Sequence, residues 1–501
     1  MSSPDKQQKH VVVVGGSISG LAAAFILSQD GHRVTVLEKD ATPLPDSPLE
    51  AFESWDRRGS PQTRHSHAFL ARLSGILQRR APAFREQLLA HGVEELRFRD
   101  MARESLGQDI ELLPEDDEIV LLACRRITFE WALRRHVLDT GQVAFRDGVE
   151  VLGLVGAKSA DAPPQVRGVR VRDEAGEEET LEAHLVLDAS GRRSLLGRWL
   201  EEIGAPTMEK DSEPCGIFYC SRFYRTLDGA DRPELGGVMG SDLGYMKYGI
   251  FPGDAGIFSI TLCASPHDDE MRRILKTPYF EEAVRALPAT RDWVAEGVST
   301  PISEVHSMSN LNNSYCHFFA DGAPLALGVY PVGDALIHTN PLNGRGCTLA
   351  FVNAEIISDA LREHPDDPMA FGVAVHEAVE REIVPWYQAT LAQDRDAMHV
   401  NESQQEGDDP YAFQREDGSV DTRAYMRALL REGLVPALRE DLTVLRAFMR
   451  VFNLLEAPSD LMKDPEILQK VLQSFERREE REPVVQGPNR TEMVEQLSSV
   501  A

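Results

Sequence analysis

The stretch that decides the fold is Val11-Val-Val-Val14-Gly15-Gly16-Ser17-Ile18-Ser19-Gly20, continuing through Leu21 to Gln29 and then Arg33-Val-Thr-Val-Leu37-Glu38. Four β-branched residues in a row describe a strand buried on both faces. The glycine-rich turn leads into Ser19–Gln29, where Leu21, Ala22, Phe25 and Ile26 recur at the spacing of a helix packed on that strand. Gly31 closes the helix and Arg33 to Leu37 read as a second strand, giving a βαβ unit. In a dinucleotide site Gly15 makes the tight turn and Gly20 admits close helix–strand packing. Ser17 stands where the pyrophosphate-approaching glycine of GxGxxG is expected, and serine keeps much of that closeness. The helix start, with Gly16 and Ser19, offers N–H groups and a positive dipole end to phosphates. Glu38 ends the second strand at the distance of a ribose-binding carboxylate, with Lys39 following it. A carboxylate there favours FAD or NAD over NADP.

Downstream, three strand-like runs at 146–190 are separated by turn residues, the first of them containing Val151. Strands dominate from 205 to 320, interrupted by one helix over PYFEEAVRAL. A strong helix covers LAFVNAEIISDALREH, and the chain beyond 366 is largely helical, with a charged tail after Phe475. Residues 41–63, rich in Pro, Ser and Asp, read as loop, and helical spacing returns from Ala68 to Gly92.

Two further segments, LVLDASGRRSLLGRWL (185–200) and LGVYPVGDALIHTNPLNGRGCTLAFVNA (327–354), resemble the flavoprotein monooxygenases of the p-hydroxybenzoate hydroxylase type. The resemblance covers roughly residues 10–400. It implies an α/β fold: a Rossmann-like FAD-binding domain with a β-meander, interleaved with a β-rich substrate domain, plus a C-terminal helical region. The implied segments are 9–204 and 321–365 for the FAD-binding domain, 205–320 for the substrate domain and 366–501 for the helical region. By the same resemblance, Gly333 and Asp334 would meet the ribityl chain of FAD. Pro341, Gly344 and Gly346 would open a helix toward the pyrimidine edge of the flavin. Arg126, heading Arg-Ile-Thr-Phe-Glu-x-x-Leu, would reach the cofactor.

The implied activity is hydroxylation or epoxidation of a hydrophobic small molecule, in which reduced FAD and O₂ form a C4a-hydroperoxide. NADPH or NADH would serve as transient reductant, or a partner flavin reductase would. Ser190-Gly191 replaces the Asp-Gly pair of NAD(P)H-using members, with Asp188 two residues earlier. That swap resembles the branch of flavin-dependent halogenases and two-component epoxidases. The halogenase Trp-x-Trp-x-Ile-Pro motif is absent. A reductase or dehydrogenase acting on an unsaturated lipid, as in geranylgeranyl reductases, stays open as the alternative.

Candidate chemistry outside the cofactor site rests on few residues. Pro61-Gln-Thr-Arg64-His65-Ser-His67 is the most unusual polar cluster; Arg64, His65 or His67 either contact FAD or protonate a flavin oxygen species, with His67 the catalytic candidate, or they simply cap a helix entry in solvent. His338, between Asp334 and Pro341, is a second catalytic candidate, expected to line the substrate side. Tyr245, Tyr248 and Phe251 are candidates for lining the substrate pocket, with sheet core as the competing reading.

The composition narrows partners. With 53 Lys+Arg against 81 Asp+Glu the net charge is −28, which argues against nucleic acid and anionic membrane surfaces. Six cysteines without a C-x-x-C pair suggest reduced, buried thiols in a cytoplasmic protein rather than a disulfide framework or metal site. No apolar stretch reaches the ~18 residues of a membrane span. The late helices offer a pocket cover or a homodimer surface.

Overall fold

A computed structural model describes residues 8–157, 162–235, 240–415, 417–481 and 486–500. Strand β1 (His10–Val14) is buried at every position and lies between two parallel neighbours, β2 (Arg33–Glu38) and the strand Leu185–Asp188. Helix α1 (Ile18–Gln29) crosses between β1 and β2. The parallel sheet is completed by Val143–Asp147 beyond β2 and Val329–Pro331 beyond Leu185–Asp188. Its outer strand thus comes from a segment more than 140 residues downstream of its neighbour in the sheet, as an interleaved domain requires.

The run read as one strand over EETLEAHLVLD divides in two. Glu178–Glu182 pairs with Gln165–Arg172 in an antiparallel three-stranded meander, whereas Leu185–Asp188 enters the parallel sheet. The division follows burial: Glu178–Glu182 is mostly exposed and Leu185–Asp188 is fully buried. The turn SADAPP expected inside this region lies partly outside the described residues.

A second sheet is built from Met246–Pro252, Ile257–Ala264 and Phe218–Thr226 in antiparallel array, with short strands at its edges. One face carries Cys220, Tyr224, Phe258, Ile260 and Leu262 and packs on the helix Thr277–Ala286. The charged tail contains a further helix, Arg490–Ser498, whose Met493 and Leu497 join the same apolar cluster. Its Arg490 pairs with buried Asp268 at 2.8 Å.

Three local readings change. The 41–63 segment holds a short helix, Pro48–Ser54, capped by the Ser47 hydroxyl accepting from the Glu50 N–H. The helical spacing of 68–92 resolves into Ala71–Arg80 and Pro82–Ala90, broken because a residue before proline is pushed out of helical geometry. In the C-terminal region a π turn at Leu430–Leu434 precedes Pro436, which has no N–H to give; the Glu432 carbonyl accepts instead from Arg481 at 2.8 Å. Among the described residues no helix is long and apolar enough to cross a membrane. All six cysteines are buried and unpaired.

Candidate active site

The glycine turn is built so tightly that side chains do not fit. Gly15 has φ of +105°, and a Cβ there would lie 2.6 Å from the Ala189 carbonyl oxygen. A Cβ on Gly20 would lie 1.8 Å from the Gly15 carbonyl oxygen, which is backbone and cannot swing away. Helix α1 then starts with no side-chain cap and no acidic residue in its first turn. Its unpaired N–H groups are the donors that a phosphate would take.

Ser17, the non-glycine position of this turn, has its hydroxyl in a buried charge network. It donates to Glu130 at 3.0 Å and accepts from Arg126 at 3.1 Å and Ser60 at 2.9 Å. Glu130, fully buried, also accepts from Arg126 at 3.1 Å and from Arg57 at 3.0 Å. Burial alone would raise its pKa, but the two guanidiniums hold the carboxyl below its ordinary range. Arg57 continues to Glu38 at 3.1 Å, and Glu38 accepts as well from the Gly16 N–H at 3.2 Å and the Asp40 N–H at 3.0 Å. The Arg126 Nε is buried without a partner.

The 327–354 segment closes the site from the other side. Gly333, at φ +59°, approaches Ser19 so nearly that a Cβ would sit 2.2 Å from the Ser19 hydroxyl. The half-buried Asp334 carboxylate makes no hydrogen bond or ion pair with any described residue. Gly344, in the left-handed region at φ +63°, packs on Ala68 of the loop after Pro61–Arg64. The helix Gly346–Glu363 begins, like α1, without a side-chain cap or an acid in its first turn. Pro341 and Gly346 are exposed. Two uncapped helix starts, a glycine cradle, an unpaired carboxylate and an unsatisfied guanidinium N–H fit a dinucleotide such as FAD.

Arg126 links these pieces. Its Nη1 lies 3.5 Å from His67 Nε2 and 3.9 Å from Cys347 Sγ. His67 Nδ1 donates to the His65 carbonyl at 3.0 Å, so its Nε2 is the acceptor facing Arg126. Burial, and then the Arg126 charge, lower the His67 pKa to about 3. The ring is neutral at physiological pH. Burial likewise drives the Cys347 thiol up to about 11, an inert side chain. His338 is buried and gives Nδ1–H to the Asn312 carbonyl at 2.7 Å, leaving Nε2 as an acceptor.

The sheet turns one face toward this site. Tyr219, Ser221 and Phe223 pair across to Cys263, Thr261 and Ser259, and all six lie opposite the Cys220–Tyr224 face. The His65 ring stands edge-on to Tyr219 at 4.7 Å, and Phe52 meets Phe223 at 5.2 Å. Tyr219, Cys263, Met308 and Leu342 form one apolar cluster against the 341–346 loop. Arg192 and Arg126 both lie near the Tyr219 hydroxyl, although burial dominates and raises its pKa.

Comparison with known proteins places this architecture. Residues 13–45 match the NAD(P)-binding Rossmann-like domain family. Protein Rv3254 of Mycobacterium tuberculosis is 30% identical over 372 residues, covering 70% of this chain and 73% of that protein. The chain belongs to the family of Protein Rv3254. Among solved structures, the myxobacterial chondrochloren halogenase CndH, an FAD-dependent halogenase, superposes with a TM-score of 0.56 at 16% identity, covering 94% of this chain and 96% of that one. PqsL, a probable FAD-dependent monooxygenase from Pseudomonas aeruginosa, gives 0.52 at 17% identity over 80% of this chain and 99% of its own. This member of the Rv3254 family therefore has the fold of FAD-dependent monooxygenases and halogenases.

In this family member the residues named from sequence separate into two groups. Gly15, Gly16, Ser17, Ser19, Gly20, Glu38, Arg126, His67, Gly333, Asp334, Gly344 and Gly346 surround one site. Lys39 is exposed and pairs with Glu150 at 2.7 Å; Val151 is half-buried on the meander. Arg64 is exposed, close enough to His306 to lower its pKa after burial has done so. The pocket assignment of Tyr245 and Tyr248 is corrected. Both lie in the cluster on the far face, their hydroxyls donating to the Pro488 and Gln486 carbonyls at 2.9 and 3.1 Å. Phe251 pairs with Ser259 and shares the site-facing side of the sheet. Sequence reading missed Arg57, hidden in a polar loop, and also Tyr219, Ser221 and Thr261. For Arg57 the signal was Trp55-Asp-Arg57, an aromatic two residues before a cation that now stacks on it at 5.0 Å.

Proposed function

We propose that this chain is an FAD-dependent monooxygenase that hydroxylates or epoxidises a hydrophobic small molecule. The observation that carries the reading is the pair of uncapped helix starts, Ile18 and Gly346, brought against one glycine cradle within this fold. Residues 9–204 and 321–365 form the cofactor body in this reading, 205–320 the substrate domain, and 366–501 the helical cover. The α1 N–H groups and Arg126 would hold the pyrophosphate, Glu38 a ribose, and Asp334 the ribityl hydroxyls. Lys39, Arg64 and Val151 are peripheral contacts. Bound FAD supplies the two-electron and oxygen chemistry.

The chain's own part is to orient and to exclude water. Arg126 is fixed by Glu130 and His67, so its charge is aimed before any ligand arrives, and little reorganisation is needed on binding. The Gly346 helix start would stabilise negative charge developing at the ring edge near it. His338, with Nδ1 committed to Asn312, offers Nε2 as a proton acceptor on the substrate side. Phe251, Phe223 and Tyr219 supply apolar wall for an unsaturated or aromatic substrate.

The test is FAD titration followed by turnover under ¹⁸O₂ with a panel of hydrophobic alkenes and arenes. Incorporation of one ¹⁸O atom into product supports oxygenation. Anaerobic reduction of an alkene by the reduced protein would support the hydride-transfer alternative, and failure to bind FAD would end both. NADPH or NADH added alone then decides between direct reduction and a partner flavin reductase.

A further inference from the structure

The loop Pro61–His67 docks on the site-facing side of the second sheet through an unbroken line of hydroxyl groups. His65 Nδ1 lies 3.3 Å from the Ser221 hydroxyl, which lies 2.7 Å from that of Thr261. Thr261 lies 2.7 Å from Ser66, and Ser66 lies 2.7 Å from Ser259. His65, Ser221, Thr261 and Ser259 are buried, whereas Ser66 is half-exposed. At its other nitrogen, Nε2, His65 hydrogen-bonds to no described residue, and its ring stands against Tyr219 in the site wall.

Each hydroxyl has one proton to give, so the directions of these bonds are coupled. In one continuous arrangement Ser66 donates to Thr261, Thr261 to Ser221 and Ser221 to His65 Nδ1, which makes Nε2 the protonated nitrogen. In the other, His65 gives Nδ1–H to Ser221, every bond is reversed and Nε2 is an acceptor. The two arrangements use the same heavy-atom positions and differ only in where the protons sit.

We propose that His65, Ser221, Thr261 and Ser66 form a proton relay between solvent and the active-site cleft, with His65 Nε2 as its cleft-side end. One passage is balanced as follows. Nε2 gives its proton to an anionic oxygen in the cleft while Nδ1 takes one from Ser221. Ser221 is refilled from Thr261, Thr261 from Ser66, and Ser66 from a water molecule, which returns to solvent as hydroxide, so the negative charge of the cleft oxygen ends in bulk water. No group in the line ends with a different charge, and the histidine changes only its tautomer. Burial, with His306 adding to it, holds the His65 pKa at about 3, so the ring passes protons without storing one. The other titratable or charged groups near it are Tyr219, His306 with Arg64, and His67 with Arg126. The link to oxygenation rests on the flavin reading above.

The test measures exchange of the His65 ring N–H with solvent by ¹⁵N-histidine NMR on the protein without cofactor. Thr261→Val cuts the line with little change of shape, and Thr261→Ser keeps it. The relay predicts exchange slowed by about a hundredfold in the valine variant and restored in the serine variant, the lower end of what a positioned proton transfer contributes. A purely structural role would give the opposite sign, because loosening the loop speeds exchange. His10, buried and bonded to Glu182 and Thr35, is the internal control and stays unchanged. Exchange that is unchanged or faster in Thr261→Val overturns the relay and leaves the flavin reading intact. Failure to bind FAD removes the flavin reading and leaves the exchange result standing.

Discussion

Replacing Glu130 by glutamine probes the charge network at the glycine turn without changing its shape. Glu130 is completely buried and receives Ser17, Arg57 and Arg126 at 3.0, 3.0 and 3.1 Å. Arg57 and Arg126 share Glu130, and Arg57 also faces Glu38 and half-buried Asp40, the latter at 3.6 Å; Glu130→Gln removes the one carboxylate that both guanidiniums contact, shifting this dry site by one positive charge. Removing one partner of a buried ion pair costs about 3–5 kcal/mol. At about 2.1 cal/mol/K of unfolding entropy per residue, a cooperative 501-residue chain shifts by about 1 °C per kcal/mol, so the loss reads as about 3–5 °C. The assay is thermal unfolding with and without FAD, across pH. Because the cofactor's phosphates would neutralise the charge that Glu130 abandons, FAD should raise the variant's Tm more than the wild type's. The Glu130 carboxyl is held below its ordinary pKa, so its contribution is present above about pH 4.3 and fades as pH falls through the lowered folded value. The gap between wild type and variant should therefore hold from pH 6 to 8 and close in strong acid. A gap under about 1 °C at pH 7, against the 3–5 °C expected of a buried pair, would refute the reasoning. So would FAD stabilising the wild type more than the variant.

Other perturbations test separate pieces. Gly20→Ala drives a methyl into the Gly15 carbonyl at 1.8 Å and should cost at least the ~1–3 kcal/mol of overpacking, with loss of FAD binding read by flavin fluorescence. His65 is buried and neutral, with a folded pKa of about 3 against about 6.5 unfolded, so acidification from pH 7.5 to 5 should cost about 2 kcal/mol. Denaturant titration of His65→Phe should show that increment of acid sensitivity missing. Tyr248→Phe removes hydroxyl bonds to the Gln486 carbonyl and to Ser241 on the far face of the sheet, so it should cost about 1 kcal/mol of stability and leave KM for the substrate unchanged. Asp254→Asn breaks a fully buried pair with Arg125 at 2.6 Å and should lower Tm by an amount like that of Glu130→Gln, without a differential FAD effect.

What the sequence made legible follows from how each feature is encoded. The glycine turn, β1, α1 and β2 are local, and each sits within a few residues of its own signal. The helix Gly346–Glu363 and the Gly333-Asp334 pair came through a motif whose residues are contiguous. Arg57 and Glu130 are 73 residues apart, and although Glu130 sits in the Arg126-Ile-Thr-Phe-Glu segment and Arg57 follows Trp55, neither local context tells that the two meet at 3.0 Å. The substrate face failed for a different reason, which is parity. Strands such as Phe218–Thr226 are buried on both sides, one against the Thr277–Ala286 and Arg490–Ser498 helices and the other against the Pro61–His67 loop. With apolar or small residues on both sides, alternation carries no sign, and a one-residue error exchanges the two faces completely. Tyr248 was read onto the site for that reason, while Tyr219, on the strand at the other side of Ile257–Ala264, holds the position against His65. The small hydroxyls were the usable sign. Ser221, Ser259 and Thr261 interrupt strands of otherwise large apolar residues at matching register, and buried hydroxyls need partners, which only the side facing a polar loop can give.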